Sequence, residues 1–421
     1  MKELPLIAND AVVFGLLMLC LAIVFYTQKI ETPFFKTFYK IVPGILLCYL
    51  LPSLLSTAKI IDPEISNLYF VASRYLLPAS LVLMTLSIDL KAIYNLGPKA
   101  LILFFTGTVG IIIGGPIAIL IVSAISPETV GGAGPDAIWR GLSTLAGSWI
   151  GGGANQAAML EIFEYNPEKY GGMVFVDIVV ANLWMAIVIL GIGKTEAIDK
   201  FLKADSSAIT ALKERVIAFE NSVKRNPTLP DYIIMLGVAF GAVGFAHFGA
   251  DGISNFLIAN FEVFSDKSSS LASFTSTFFW MISLSTIIGI ILSFTPVKKY
   301  EGAGASKIGS IFIYILVATI GMKMDLTMIA DNPGLLAIGL IWMFIHAVLM
   351  IGVAKLLKAP YFFLAVGSQA NVGGAASAPV VAAAFHPSLT TVGVLLAVLG
   401  YAVGTWGAYL CTVLMEMASM H

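Results

Sequence analysis

Charge is what this sequence has least of. Only 12% of its 421 residues are Asp, Glu, Lys or Arg, where soluble domains carry about 25%. A chain of this length with half the usual charge cannot keep its surface in water, which excludes a cytosolic enzyme, a nucleic-acid binder and a disordered scaffold. The net charge is -1, so no global field points to a basic or acidic partner. Cysteine is also scarce. Cys20, Cys48 and Cys411 lie in separate apolar runs, too few for a disulfide framework and without metal-ligand spacing. Catalytic signatures are missing too: no HExxH, no P-loop, no Ser-His-Asp cluster and no paired catalytic carboxylates. Gly151-Gly152-Gly153 is not followed by Lys and Ser or Thr, so it is no nucleotide cradle. The chain reads as a non-enzyme, without ATP-driven chemistry of its own.

What is there is hydrophobic, 58% of the residues. About 20 apolar residues, rising about 1.5 Å each, cross a bilayer core. Ten full spans are expected, near 9–27, 40–57, 68–88, 99–124, 171–193, 231–249, 275–294, 307–324, 334–354 and 389–416. The first is too long for a signal-peptide core and no cleavage site follows it. Two further segments, 137–164 and 361–385, are long enough to enter a membrane but are interrupted by glycines flanked by Asn and Gln. The fold class is therefore an all-α polytopic membrane protein, partnered by a lipid bilayer.

The interrupted segments align without a gap at a spacing of 220 residues: Gly147-Ser148 with Gly367-Ser368, Gly153 with Gly373, Asn166-Pro167 with His386-Pro387. Leu86-Ser87-Ile88-Asp89-Leu90 likewise resembles Met322-Lys323-Met324-Asp325-Leu326. Two related repeats are expected, 1–195 and 230–421, joined by a basic linker, 196–229. In the linker Ile209, Leu212, Val216, Phe219 and Val223 recur at helical spacing. If each interrupted segment enters and leaves on one face, every repeat has five crossings. The bases of loops 28–39, 89–98, 295–306 and 355–360 then join those of the linker on one side. The positive-inside rule favours that arrangement. It makes the repeats inverted and puts the linker in the cytoplasm, with both termini outside a cytoplasmic (inner) membrane. Glycine-interrupted segments meeting at the midplane from opposite faces are the geometry of a secondary transporter.

Each glycine tip can start a short helix whose free N–H groups favour an anion. The candidate substrate and ion residues are Ser148, Gly152, Gly153, Asn155 and Gln156 at the first tip. At the second they are Ser368, Gln369, Asn371, Gly373, Gly374 and Ser377. Asp177 lies well inside an apolar stretch, where a charge costs about 2.5–3.5 kcal/mol, and Asn182 is five residues on. Asn155, Gln156 and Asp177 are the expected sodium ligands, sodium serving as coupling ion with no other cofactor. Arg74, Glu161 and Glu416 lie near segment ends and read as interfacial. His247 and His346 read as hydrogen-bonded core residues.

The segments GSWIGGGANQAAM and GSQANVGGAASAPVVAAAFHPSLT resemble the signature segments of the YjcL-like family, bacterial and plastid membrane proteins of uncharacterised function. That family is more distantly similar to the sodium/glutamate, citrate and bile-acid sodium symporters. The resemblance implies an elevator-type protein with a mobile core (99–193 and 334–416) moving against a scaffold (1–98 and 230–333). It also implies a homodimer through scaffold helices. The tips GGGANQ and NVGGAAS depart from a strict GGxGG pair, so ion stoichiometry and substrate do not carry over. The expected function is sodium-coupled alternating access for a small organic solute, a carboxylate, amino acid or short peptide. A cation/proton antiporter of the same fold is the first alternative. It usually needs a second midplane acid or a partner Lys, yet the residue matching Asp177 is Ala397 and no Lys lies within 389–416. A non-transporting membrane scaffold or sensor is the alternative of another class.

Overall fold

The computed structural model describes residues 5–86, 90–205, 226–261, 275–324, 332, 334–386 and 389–420. Asp89, Asp325 and the helical stripe from Ile209 to Val223 lie outside the described residues. The described residues are helical throughout, apart from turns, loops and one isolated bridge between Ile7 and Ile61.

Fourteen helices matter here. The first half holds α1 (Asp10–Gln28), α2 (Gly44–Thr57), α3 (Leu68–Leu86), α4 (Pro98–Ile125), α5 (Ile138–Gly151), α6 (Gly153–Ile162) and α7 (Tyr170–Ile192). The second half holds α8 (Leu229–Asn260), α9 (Thr277–Ser293), α10 (Ala305–Lys323), α11 (Gly334–Leu356), α12 (Tyr361–Val372), α13 (Gly374–Phe385) and α14 (Thr390–Ser419). Their starts carry recognisable signals. Asn9 caps α1 by accepting from the N–H groups of Ala11 and Val12, and Thr228 with Asp231 forms a capping box on α8.

Eight of these helices are long and apolar enough to cross a membrane: α1, α3, α4, α7, α8, α10, α11 and α14. The count reaches ten if two bent pairs are each one span. In one, α2 follows a short helix at 90°; in the other, α9 is followed by a 3₁₀ segment at 99°. The described residues thus form a multi-pass, all-helical membrane protein; eight of the ten expected spans are single helices, whereas those expected at 40–57 and 275–294 count only together with the bent segment beside them.

The helices pack as two groups. In one, α2 packs on α10 as α9 packs on α3, α1 on α10 as α8 on α3, and α3 and α10 pack on each other. In the other, α4 packs on α11 and α12, and α14 packs on α4, α5 and α13. The groups meet where α6 and α14 lie against α3 and α9, and α7 against α2.

The pairs α5–α6 and α12–α13 are hairpins. Asn166, beyond α6, donates to Asp136, before α5, at 2.8 Å, and Lys169 pairs with the same carboxylate at 2.9 Å. The hydrogen bonds of Lys169 and Asn166 hold the Asp136 carboxyl below its usual range. So α5 begins where α6 ends. At the other hairpin, Phe385 at the end of α13 packs on Tyr361 and Phe362 at the start of α12, with ring centroids 5.7 and 5.4 Å apart. The Tyr361 N–H also donates to Asp199 at 2.7 Å, just beyond α7. Helix α7 leads from Lys169 to this second region over 23 residues, about 35 Å. The two hairpins therefore enter from opposite ends.

Candidate functional site

Each hairpin turns at glycine. Gly152 has φ +75°, where an L side chain is strained, and Gly374 has φ +54°. At the first turn the arms are in close contact: a methyl group on Gly147 would lie 2.8 Å from the Asn155 carbonyl carbon and 2.9 Å from the Gln156 nitrogen. The turns also face each other, since a methyl on Gly374 would lie 3.9 Å from Gly152 Cα.

A cavity of about 490 Å³ opens at this meeting point. Both tips line it, through Ser148, Gly152, Gly153 and Gln156 on one side and Gln369, Gly373 and Ser377 on the other. Helix α7 adds Asp177 and Asn182. The other helix group closes the wall with Tyr49, Met84, Ile313 and Tyr314. Asp177 is the one charged side chain among the described lining residues.

Asp177 is buried, with 8% of its surface exposed. Its carboxylate accepts three hydrogen bonds: from Ser148 Oγ at 2.8 Å, Trp149 Nε1 at 2.7 Å and Gln156 Nε2 at 3.0 Å. All three donors sit on the first hairpin, so the carboxylate ties that hairpin to α7. Among the described residues no cationic side chain joins them. Gln156 has given its N–H to Asp177 and Asn182 gives its own to Ile178 O at 2.7 Å. Each amide therefore has its oxygen to offer a ligand. A carboxylate with two neutral oxygens is a donor set that suits a hard monovalent cation.

At the second tip the free side-chain group is a donor. Gln369 is 1% exposed, and its Oε1 accepts from Ser377 Oγ at 2.8 Å. Its Nε2 is buried without a partner among the described residues, a condition that costs about 1–3 kcal/mol. Helix α13 begins beside it at Gly374 with no side-chain cap.

Four of the expected site residues lie elsewhere. Asn155 is fully buried outside the cavity lining, and so is not placed as a sodium ligand. Its Nδ2 donates to Gly151 O at 2.9 Å and its Oδ1 accepts from Thr405 on α14 at 2.7 Å. Its amide braces the helix break instead of facing a ligand. Asn371 does the same at the second hairpin, donating to Phe104 O and Gly367 O and accepting from Thr108 at 2.8 Å. Ser368 accepts from Trp184 Nε1 and bonds His346 Nε2, both at 2.8 Å. His346 Nδ1 lies 3.1 Å from Gly107 O. A carbonyl can only accept, so Nδ1 carries a proton. Gly374 forms the turn itself and faces Gly152. Replacing Asn155 by Ala is expected to lower thermal stability by about 1–3 kcal/mol, since Thr405 and Gly151 lose a buried partner. The response to sodium should stay intact, and its loss in an otherwise folded variant would restore Asn155 as a ligand.

Sequence reasoning did not find Trp149, Thr405, Thr108 or the wall of Tyr49, Met84, Ile313 and Tyr314. Trp149 carries the one available signal. A tryptophan in a small-residue helix must hand its N–H to an acceptor, and the intramembrane Asp177 was the acceptor in need of donors.

Comparison with known proteins places the chain among membrane proteins. A family model described as "Protein of unknown function (DUF819)" matches residues 15–418. A curated relative, the uncharacterised membrane protein YjcL of Bacillus subtilis (strain 168), is 24% identical over 361 residues. The match covers 82% of this chain and 83% of the relative.

Proposed function

The chain belongs to the DUF819 family of membrane proteins, and we propose that it is a secondary active transporter moving a small organic solute by sodium-coupled alternating access. The observation that carries this reading is Asp177: a carboxylate without a cationic partner among the described residues, in a cavity that both hairpin tips and the opposite helix group share. An intramembrane acid is costly and marks an ion or substrate path by default. Sodium would sit between Asp177, Gln156 Oε1 and Asn182 Oδ1.

The packing supports two inverted repeats. Exchanging α1, α2 and α3 for α8, α9 and α10 maps the packing pattern of the first helix group onto itself. Hairpins from opposite ends are what inversion requires. The group of α4–α7 and α11–α14 would be the mobile core and the other group the scaffold. In a homodimer the scaffold would meet its copy on α8, where Gly237, Gly241 and Gly244 face open space and permit close helix approach. With the linker cytoplasmic, as its bases favour, both termini would lie outside.

Proteoliposomes test the reading. An inward sodium gradient is expected to drive accumulation of a labelled solute, and an equal potassium gradient is not. Sodium-driven proton movement with no solute required would favour the antiporter of the same fold.

A further inference from the structure

The two tips differ in the side-chain groups they leave free. Both tips start a helix without a side-chain cap, but the first tip's side-chain donors are spent on Asp177, whereas the second keeps a donor without a partner among the described residues. We propose that the solute is a monocarboxylate with a small apolar body, its carboxylate held at the second tip by Gln369 Nε2 and the α13 N-terminus. This inference rests on the transport reading of the cavity and names its substrate class.

Three observations carry it. Gln369 is 1% exposed, lines the cavity and keeps an Nε2 without a partner among the described residues. Ser377 donates to its Oε1 at 2.8 Å, and in this arrangement the end left over is the donor end. A buried donor on a residue that lines a ligand cavity asks for an acceptor. The α13 helix adds to it: it runs for 12 residues, has no side-chain cap, and Gly373, Ala375 and Ala376 line the cavity at its start. Unpartnered N–H groups and the helix dipole there favour an anion. Finally, among the described residues no Lys, Arg or His lines the cavity. A dicarboxylate or tricarboxylate would bring a second anion with only Asp177 to meet it, where such ligands normally find Arg. Ile45, Met84, Met185 and Ile313 form an apolar part of the lining, beside Tyr49, Ser310, Tyr314 and Tyr401, and suit a small hydrocarbon body.

The test is thermal stabilisation of the purified full-length protein at constant sodium chloride. The probes are isovalerate, succinate, isovaleramide and leucine. Isovalerate is expected to stabilise at concentrations at least tenfold lower than the other three. Isovaleramide keeps the body and loses the charge; succinate adds a carboxylate; leucine adds an ammonium. Gln369→Glu should abolish the isovalerate effect and retain stabilisation by sodium alone, which also certifies that the variant is folded. Ser377→Ala, which frees the amide to turn, should weaken isovalerate several-fold. A stronger response to succinate or leucine would overturn the assignment. So would an isovalerate response that survives Gln369→Glu. If sodium stabilises and no probe does, the monocarboxylate class falls and the transport reading stands. If isovalerate stabilises equally in potassium chloride, sodium coupling falls and the carboxylate site stands.

Discussion

Replacing Asp177 by Asn is expected to abolish sodium-driven uptake and the stabilisation that sodium confers, while the protein still folds. The reasoning lies in the hydrogen bonds. The carboxylate accepts from Ser148, Trp149 and Gln156. An asparagine can keep its oxygen toward Trp149 and turn its new N–H group toward the other two. The Ser148 hydroxyl can rotate to accept, and the Gln156 amide can flip to present its oxygen. The hairpin thus stays tied to α7. The cation site does not survive, because the charge is gone and the Gln156 oxygen is now spent on the introduced amide. At a sodium concentration 100 times its dissociation constant, binding stabilises the folded state by about 2.7 kcal/mol, and that increment should vanish. Asp177→Leu is a harsher change. It leaves all three donors without an acceptor, each costing about 1–3 kcal/mol, so loss of folded protein is expected. The comparison separates two roles for the residue. Were Asp177 only a brace for the hairpin, the Asn variant would transport and respond to sodium as the native protein does. Thermal unfolding in sodium against potassium at fixed ionic strength, with uptake in parallel, decides between them.

The features set by composition and local pattern were legible in the sequence. Spans of about 20 apolar residues need no tertiary context to be counted, and the glycine clusters announced both hairpin turns. Asp177 stood out because its neighbours are apolar. Side-chain direction was not legible. Asn155 and Gln156 are adjacent and chemically alike, yet on a helix adjacent residues point about 100° apart. Gln156 reaches Asp177, and Asn155 turns to Thr405 on α14. The partner Thr405 lies 250 residues away, and no local pattern encodes that contact. Gln369 and Asn371 divide the same way: one lines the cavity and the other is spent on α4. Arg74 and Glu161 each read as interfacial anchors, because each sits near the end of an apolar run. Their pairing depends on packing between the two helix groups.

That pairing gives the second large expected effect. Glu161→Gln should change the balance between the conformations of a working transporter by about thirtyfold. Arg74 lies on α3, in a π-helical stretch from Ala72 to Leu76. Its guanidinium donates to Glu161 on α6 at 2.6 Å and lies 4.4 Å from the Phe278 ring. Tyr69 donates its hydroxyl to the other Glu161 oxygen. The contact therefore joins the second arm of the first hairpin to the opposite helix group. If the core moves against the scaffold, α6 leaves α3 and the ion pair breaks in every cycle. Its strength then biases the conformation in which it is formed. The side chains are 29% and 14% exposed, between a surface pair worth under about 1 kcal/mol and a buried one whose rupture costs about 3–5 kcal/mol. An intermediate value of about 2 kcal/mol corresponds to the thirtyfold shift. Gln keeps neutral hydrogen bonds to Tyr69 and Arg74, so the change acts on the charge and leaves the packing in place. The readout is labelling of an Ala181→Cys cavity position from each side of the membrane, in a background lacking Cys20, Cys48 and Cys411. The ratio of the two rates should shift with Glu161→Gln and return toward its native value when Arg74→Gln is added, because the uncompensated guanidinium is then removed as well. A ratio that does not move, alongside reduced thermal stability in both single variants, would make the pair a static brace. It would also mean that α6 keeps its place on α3 throughout, which the elevator reading forbids.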